Sequence, residues 1–181
     1  MKQTILFLAI AFISAFATDA NAQKFSEIDK SVHDVTYYRT ERNAPPIVKI
    51  VYGRPLKKGR EIFGSLVPFD KIWRTGANEA TEIKFFQDVN FGGKDVKAGT
   101  YTLFTIPGMK EWTLILNSDL DVWGAYSYKE SADVARVTAP VTTDKESLEA
   151  FSITFDPVDD GANLVLGWDK ARVKVPIKVS K

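Results

Sequence analysis

From Ile47 onward, apolar and polar positions alternate in short runs, and the runs are broken by Gly, Pro or Asn–Asp clusters. Ile47–Tyr52 (IVKIVY) is β-branched and aromatic, and Thr81–Gln87 sets Ile83 and Phe85 on one face against Glu82 and Lys84 on the other. Such period-two segments predict half-buried strands. Asn90–Val96 predicts a tight hairpin, because Gly92 and Gly93 supply the positive φ its turn demands. Gly99–Ile106 follows and stops at Pro107–Gly108. Glu111–Leu116, Ala132–Thr138, Phe151–Phe155 and Asn163–Trp168 continue the series. In the last strand Val173, Val175, Ile177 and Val179 alternate with Arg172, Lys174, Pro176 and Lys178. Its proline and lysines predict an edge strand. Lys145–Ala150 reads as a single helical turn. With many short strands and no long amphipathic helix, the expected class is all-β: one antiparallel β-sandwich or jelly-roll-like domain.

Two stretches depart from this pattern. At the N-terminus, Lys2 precedes an apolar run from Ile5 to Phe16, and Ala20–Asn21–Ala22 forms a small-residue cleavage site. Residues 1–22 therefore read as a signal peptide, too short in its apolar part to span a bilayer as a mature helix. Residues 23–46 are polar and end in Pro45–Pro46, which predicts an arm with one short strand at Val35–Tyr38. The β-sandwich is assigned to residues 47–181. The expected product is an exported protein, periplasmic or extracellular, with no transmembrane segment after cleavage.

The other departure is Arg54–Thr81, which interrupts the strands as one long inserted loop. Connections longer than about 12–15 residues are uncommon and are often functional. Ile62, Phe63, Leu66, Val67, Phe69 and Ile72 are expected to pin the loop down, with Gly59, Gly64 and Gly76 at its bends.

Composition narrows the chemistry. The chain has no Cys and one His, so disulfides, thiolate catalysis and multi-His metal sites within one chain are excluded. There is no calcium-loop motif, and no metal or cofactor is predicted, although an all-carboxylate Ca²⁺ site stays open. A net charge of +1 gives no general reason to expect nucleic acid. The long loop lacks the P-loop pattern, and His33 has no G-x-S-x-G serine to serve.

Arg74, Asn78 and Glu79 are the leading site residues, because an Arg fork pairs with a carboxylate, a phosphate or vicinal hydroxyls. The competing reading pairs Arg74 with Glu79 or Glu82 in a structural salt bridge. Trp73 and Trp123 are candidates for stacking on a sugar. Trp123, Tyr126 and Tyr128 form an aromatic cluster that either lines the same pocket or packs locally. Arg54, Lys57, Lys58 and Arg60 form a basic cluster suited to an anion. The predicted ligand-binding set is Arg54, Arg60, Trp73, Arg74, Asn78, Glu79, Trp123 and Tyr126, and the predicted ligand is a glycan or envelope-derived fragment. Two other functions compete with this. One is a hydrolase with Glu79 as acid or base, paired for instance with Asp121. The other is a structural or adaptor protein of the envelope.

Several strings also resemble one family. They are Tyr52–Pro55 (YGRP), Lys58–Gly64 (KGREIFG), Leu66–Phe69 (LVPF), Trp73–Thr81 (WRTGANEAT), Ala98–Phe104 (AGTYTLF) and Trp123–Tyr126 (WGAY). Together they resemble domain of unknown function 2911, found in exported bacterial proteins, especially of the Bacteroidetes. The resemblance runs from about Lys49 to Val179. It implies export and a β-rich domain, and it brings no catalytic residue or substrate.

Overall fold

The structure is a computed structural model and describes residues 24–179. The predicted leader and its cleavage site lie outside the described residues. The described residues form nine strands: β1 (His33–Tyr38), β2 (Val48–Gly53), β3 (Glu82–Phe85), β4 (Val89–Phe91), β5 (Lys94–Val96), β6 (Gly99–Pro107), β7 (Glu111–Asn117), β8 (Asp133–Val158) and β9 (Gly161–Val179). Every pairing between these strands is antiparallel, in the order β1-β2-β3-β6-β7-β8-β9-β4-β5. The class is therefore all-β and antiparallel. Among the described residues no helix is long and apolar enough to cross a membrane.

The long strand β8 turns the sheet. Its first part pairs with β7 from Asp133 to Pro140, and from Val141 to Val158 it pairs with β9. Register shifts between Thr143 and Leu148, and between Leu148 and Ser152, bend it. The two ends of the sheet then share one core. Ile50, Ile83, Leu103 and Leu114 cluster with Leu164, Leu166, Val175 and Ile177, all fully buried. Tyr38 crosses this core, its hydroxyl donating to Gly161 O at 2.6 Å.

Two local expectations are corrected here. Lys145–Ala150 is not a helical turn but the bulged middle of β8. The Arg172 guanidinium donates to Glu146 O at 2.8 Å, and Ala150 is bridged to Leu56, so long-range pairing holds the segment extended. Strand β9 is not an edge, because it lies between β8 and β4. Pro176 is accommodated because it follows the β8 ladder and only its carbonyl is used, accepting from Gly92 N at 2.8 Å.

Strands β6 and β7 are apolar on both faces, which decides where the loops go. Leu103, Leu114 and Leu116 face the main core, whereas Phe104 and Ile115 point the other way. A strand buried on both faces needs a second cover. Ile72, Ala80, Val122, Ala125 and Tyr128 supply it, with Tyr128 edge-on to Phe104 at 5.2 Å. Burying a side chain such as Phe104 or Ile115 stabilises by about 1.5–3 kcal/mol. That cover sets the 72–80 and 122–128 segments side by side on one surface.

Candidate functional site

Residues 54–81 form no strand of the sheet and are tied down at intervals, as the sequence predicts. Lys57 N donates to Glu149 O at 2.7 Å, and Asp70 N to Pro107 O at 2.8 Å. Trp73 and Thr105 exchange both backbone hydrogen bonds, at 2.7 and 2.9 Å. Ile62 and Val67 are buried, and Phe63 packs on the core. Leu66 departs from the prediction; it is 43% exposed and lines a cleft instead of anchoring the loop.

Beyond Trp73 the chain makes a closed turn from Arg74 to Thr81. Thr81 N donates to Arg74 O at 3.1 Å, and Thr81 Oγ1 donates to Thr75 O at 2.7 Å. Thr75 has φ 56 and Asn78 has φ 62. Thr75 is fully buried, and a β-branched residue in the left-handed region is strained by about 1–3 kcal/mol. The turn also sits backbone to backbone on the end of β2. A Cβ at Gly53 would be 2.2 Å from Ala77 O, and one at Gly76 would be 2.8 Å from Gly53 O. Both positions need glycine because no side chain fits between the two backbones.

Between this turn and the 55–67 segment lies a cleft of about 270 Å³. Trp73, Trp168, Val67, Leu66 and Pro55 form its apolar part, and Arg60, Arg74, Asn78 and Ser31 its polar part. Among the described residues no Asp or Glu lines it. Arg74 makes no ion pair or side-chain hydrogen bond among the described residues, and its Nε is buried without an acceptor. The expected alternative, a salt bridge to Glu79 or Glu82, is absent among the described residues. Arg60 spends Nε and one terminal nitrogen on the carbonyls of Lys57 and Leu56, at 3.0 and 2.6 Å. Asp29 stands near Asn78. Its carboxyl is held below the usual carboxylate range, first by the Ser31 N–H and then by the Asn78 side chain.

The other predicted residues lie elsewhere. Arg54 is a structural tie, donating to Phe151 O at 3.1 Å, Asp34 Oδ2 at 2.9 Å and Ser152 Oγ at 2.8 Å. Lys57 is paired with Asp169 at 2.6 Å, so the basic cluster is partly neutralised. Trp73 is no open stacking face. It is buried in an aromatic cluster, 6.1 Å from Trp168 at 14° and 5.0 Å from Phe151. Glu79 belongs to a separate pocket of about 70 Å³ with His33, Glu82 and Asp121, its Oε2 3.8 Å from His33 Nε2. Trp123 and Tyr126 line neither pocket and are 62% and 88% exposed. Sequence reasoning missed Ser31, Pro55 and Trp168 as cleft walls. Ser31 precedes β1, Pro55 follows β2 and Trp168 lies on β9, and only the fold brings the three together. Among the described residues no group of three or more His, Cys, Asp or Glu is placed to hold a metal ion.

The fold and the cleft thus define an all-β, cysteine-free domain whose inserted loop presents a guanidinium that, among the described residues, has no partner and no carboxylate beside it in the cleft lining. The family described as "Protein of unknown function (DUF2911)" matches residues 36–177, and the chain belongs to that family. No curated protein and no solved structure was found to match it.

Proposed function

We propose that this protein is an exported ligand-binding protein whose cleft takes a small anionic molecule, an acidic sugar or similar envelope-derived fragment. One observation carries the reading: among the described residues the Arg74 guanidinium has no partner, and no acid lines the cleft at which it stands. A buried polar N–H without an acceptor opposes folding by about 1–3 kcal/mol. A fold that keeps such a group beside a strained Thr75 gains from it when a ligand supplies the missing acceptor. Arg60 adds a second cation, while Leu66 and Pro55 offer apolar contact. The cleft volume suits a ligand of one or two rings. Export rests on Lys2, the Ile5–Phe16 run and the Ala20–Ala22 site.

A thermal-shift series with uronic acids, sugar phosphates and muropeptide fragments, each beside an uncharged isostere, tests the binding. A ligand at 100 times its dissociation constant should add about 2.7 kcal/mol. Melting should rise with the acids and stay fixed with the isosteres. Equal shifts from both, or full binding by Arg74→Met, would remove the reading. Export is checked by fractionating producing cells and sequencing the N-terminus, which should begin at Gln23.

A further inference from the structure

The surface next to the cleft has the opposite chemistry. Asn78 stands on the cleft wall, and its carbonyl accepts from Gly124 N at 3.0 Å. Glu79, the next residue, is bridged to Trp123. The turn that carries Arg74 therefore leads directly onto residues 121–126. Of the four tryptophans, Trp73, Trp112 and Trp168 are buried, and Trp123 is 62% exposed. Gly124, at φ +67, shapes this turn, and the Tyr126 ring lies against it: a Cβ there would be 2.7 Å from Cε2. Two large aromatic side chains are thus presented to solvent on one short turn. Neither packs against another ring among the described residues, which is an unfavourable use of apolar area unless something covers it.

The charge also changes sign across Asn78. On the cleft side stand Arg60 and Arg74 with no acid in the lining. On the other side the pocket beside Trp123 is lined by Glu79, Glu82, Asp121 and His33, with no Lys or Arg. A ligand carrying negative charge on every unit is repelled there. A ligand with one acidic unit followed by an uncharged polyhydroxylated ring meets both requirements. Its acid pairs with Arg74, the apolar face of its next ring covers Trp123, and its hydroxyls donate to Glu79 and Asp121.

We propose that residues 121–126 form a second subsite adjoining the Arg74 cleft across Asn78, and that the ligand is an oligosaccharide alternating acidic and uncharged rings. This rests on the cleft reading given above. Titration calorimetry on the full chain tests it with three probes. They are glucuronic acid, a tetrasaccharide alternating glucuronate with an N-acetylhexosamine, and a tetragalacturonate. The alternating tetrasaccharide should bind about tenfold tighter than the monosaccharide, the effect of one aromatic anchor. Tetragalacturonate should show no such gain. In Trp123→Ala the ratio of tetrasaccharide to monosaccharide affinity should fall to about one. In a Glu79→Gln, Asp121→Asn double variant, tetragalacturonate should recover the gain. The subsite is overturned, with the cleft reading intact, if the monosaccharide binds and the alternating tetrasaccharide is no tighter, or if Trp123→Ala keeps the ratio. If none of the three probes binds, the subsite proposal fails, while the cleft reading stands or falls on the sugar phosphates and muropeptide fragments of the thermal-shift series.

Discussion

Arg74→Met should make this protein more stable while abolishing ligand binding. The guanidinium makes no ion pair among the described residues, and its Nε is buried without an acceptor. Methionine keeps most of the apolar stem that lies along the cleft wall and deletes the head group. The unmet N–H opposes folding by about 1–3 kcal/mol, and that is the expected gain. For a chain of this size each kcal/mol moves the melting temperature by about 2–4 °C, so a gain of about 1–3 kcal/mol should raise it by about 2–12 °C. Alanine is the poorer variant because it also removes the stem and confuses the sign. The assay is scanning calorimetry together with urea unfolding. The urea midpoint should rise at an unchanged slope, because no additional surface is exposed on unfolding. A drop of about 1 kcal/mol or more would refute the reasoning, since it would mean that the guanidinium holds the loop through a partner.

Two further outcomes follow from the same geometry. Gly53→Ala should lose about 1–3 kcal/mol and loosen the 74–81 turn, because its Cβ would meet Ala77 O at 2.2 Å; amide exchange at Thr75–Asn78 should speed up. Unchanged exchange would mean that the turn is held without β2. Tyr128 gives a pH signature. Burial, then its hydrogen bond to Asp133, pushes its hydroxyl up to about 12 from an ordinary 10.0. The folded state therefore keeps a proton that the unfolded chain releases. Stability is full below about pH 10 and is lost as pH rises toward about 12. Tyr128→Phe should flatten that decline in alkaline unfolding curves, and an unaltered slope would rule Tyr128 out as its source.

Much of the fold was legible because one face of each strand is apolar. In β9, Val173, Val175 and Ile177 are buried and Lys174, Pro176 and Lys178 exposed, as alternation requires. The hairpin at Gly92 and Gly93 was legible through its turn chemistry, with φ of 54 and 91. The loop at 54–81 was legible as an interruption, since its glycines and charged residues fit no strand. Lys145–Ala150 was not legible, because a polar stretch shows no period and its extended form comes from Arg172 and Leu56, distant in the chain. The site was legible in part. Arg60, Arg74 and Asn78 share the cleft, but Glu79 faces another pocket although it follows Asn78 directly. The left-handed backbone at Thr75 and Asn78 reverses the chain there, and residue type alone does not reveal such a reversal. Trp168 reaches the cleft from β9, a contact that only the tertiary fold creates.

The near-parallel Trp73 and Trp168 rings, 6.1 Å apart at 14°, have an optical consequence. Two indoles held this close couple their ultraviolet transitions, so the folded protein should carry a split circular-dichroism band absent from the unfolded chain. One indole belongs to the inserted loop and the other to β9, and both border the cleft. The band therefore reports whether the loop is seated on the sheet, without any attached label. It should collapse when Trp73 is replaced by phenylalanine, because Trp73 also lies 6.1 Å from Trp112 at 86° and is the indole common to both pairs. Followed beside the far-ultraviolet signal of the strands, it distinguishes loss of the loop from loss of the whole sheet.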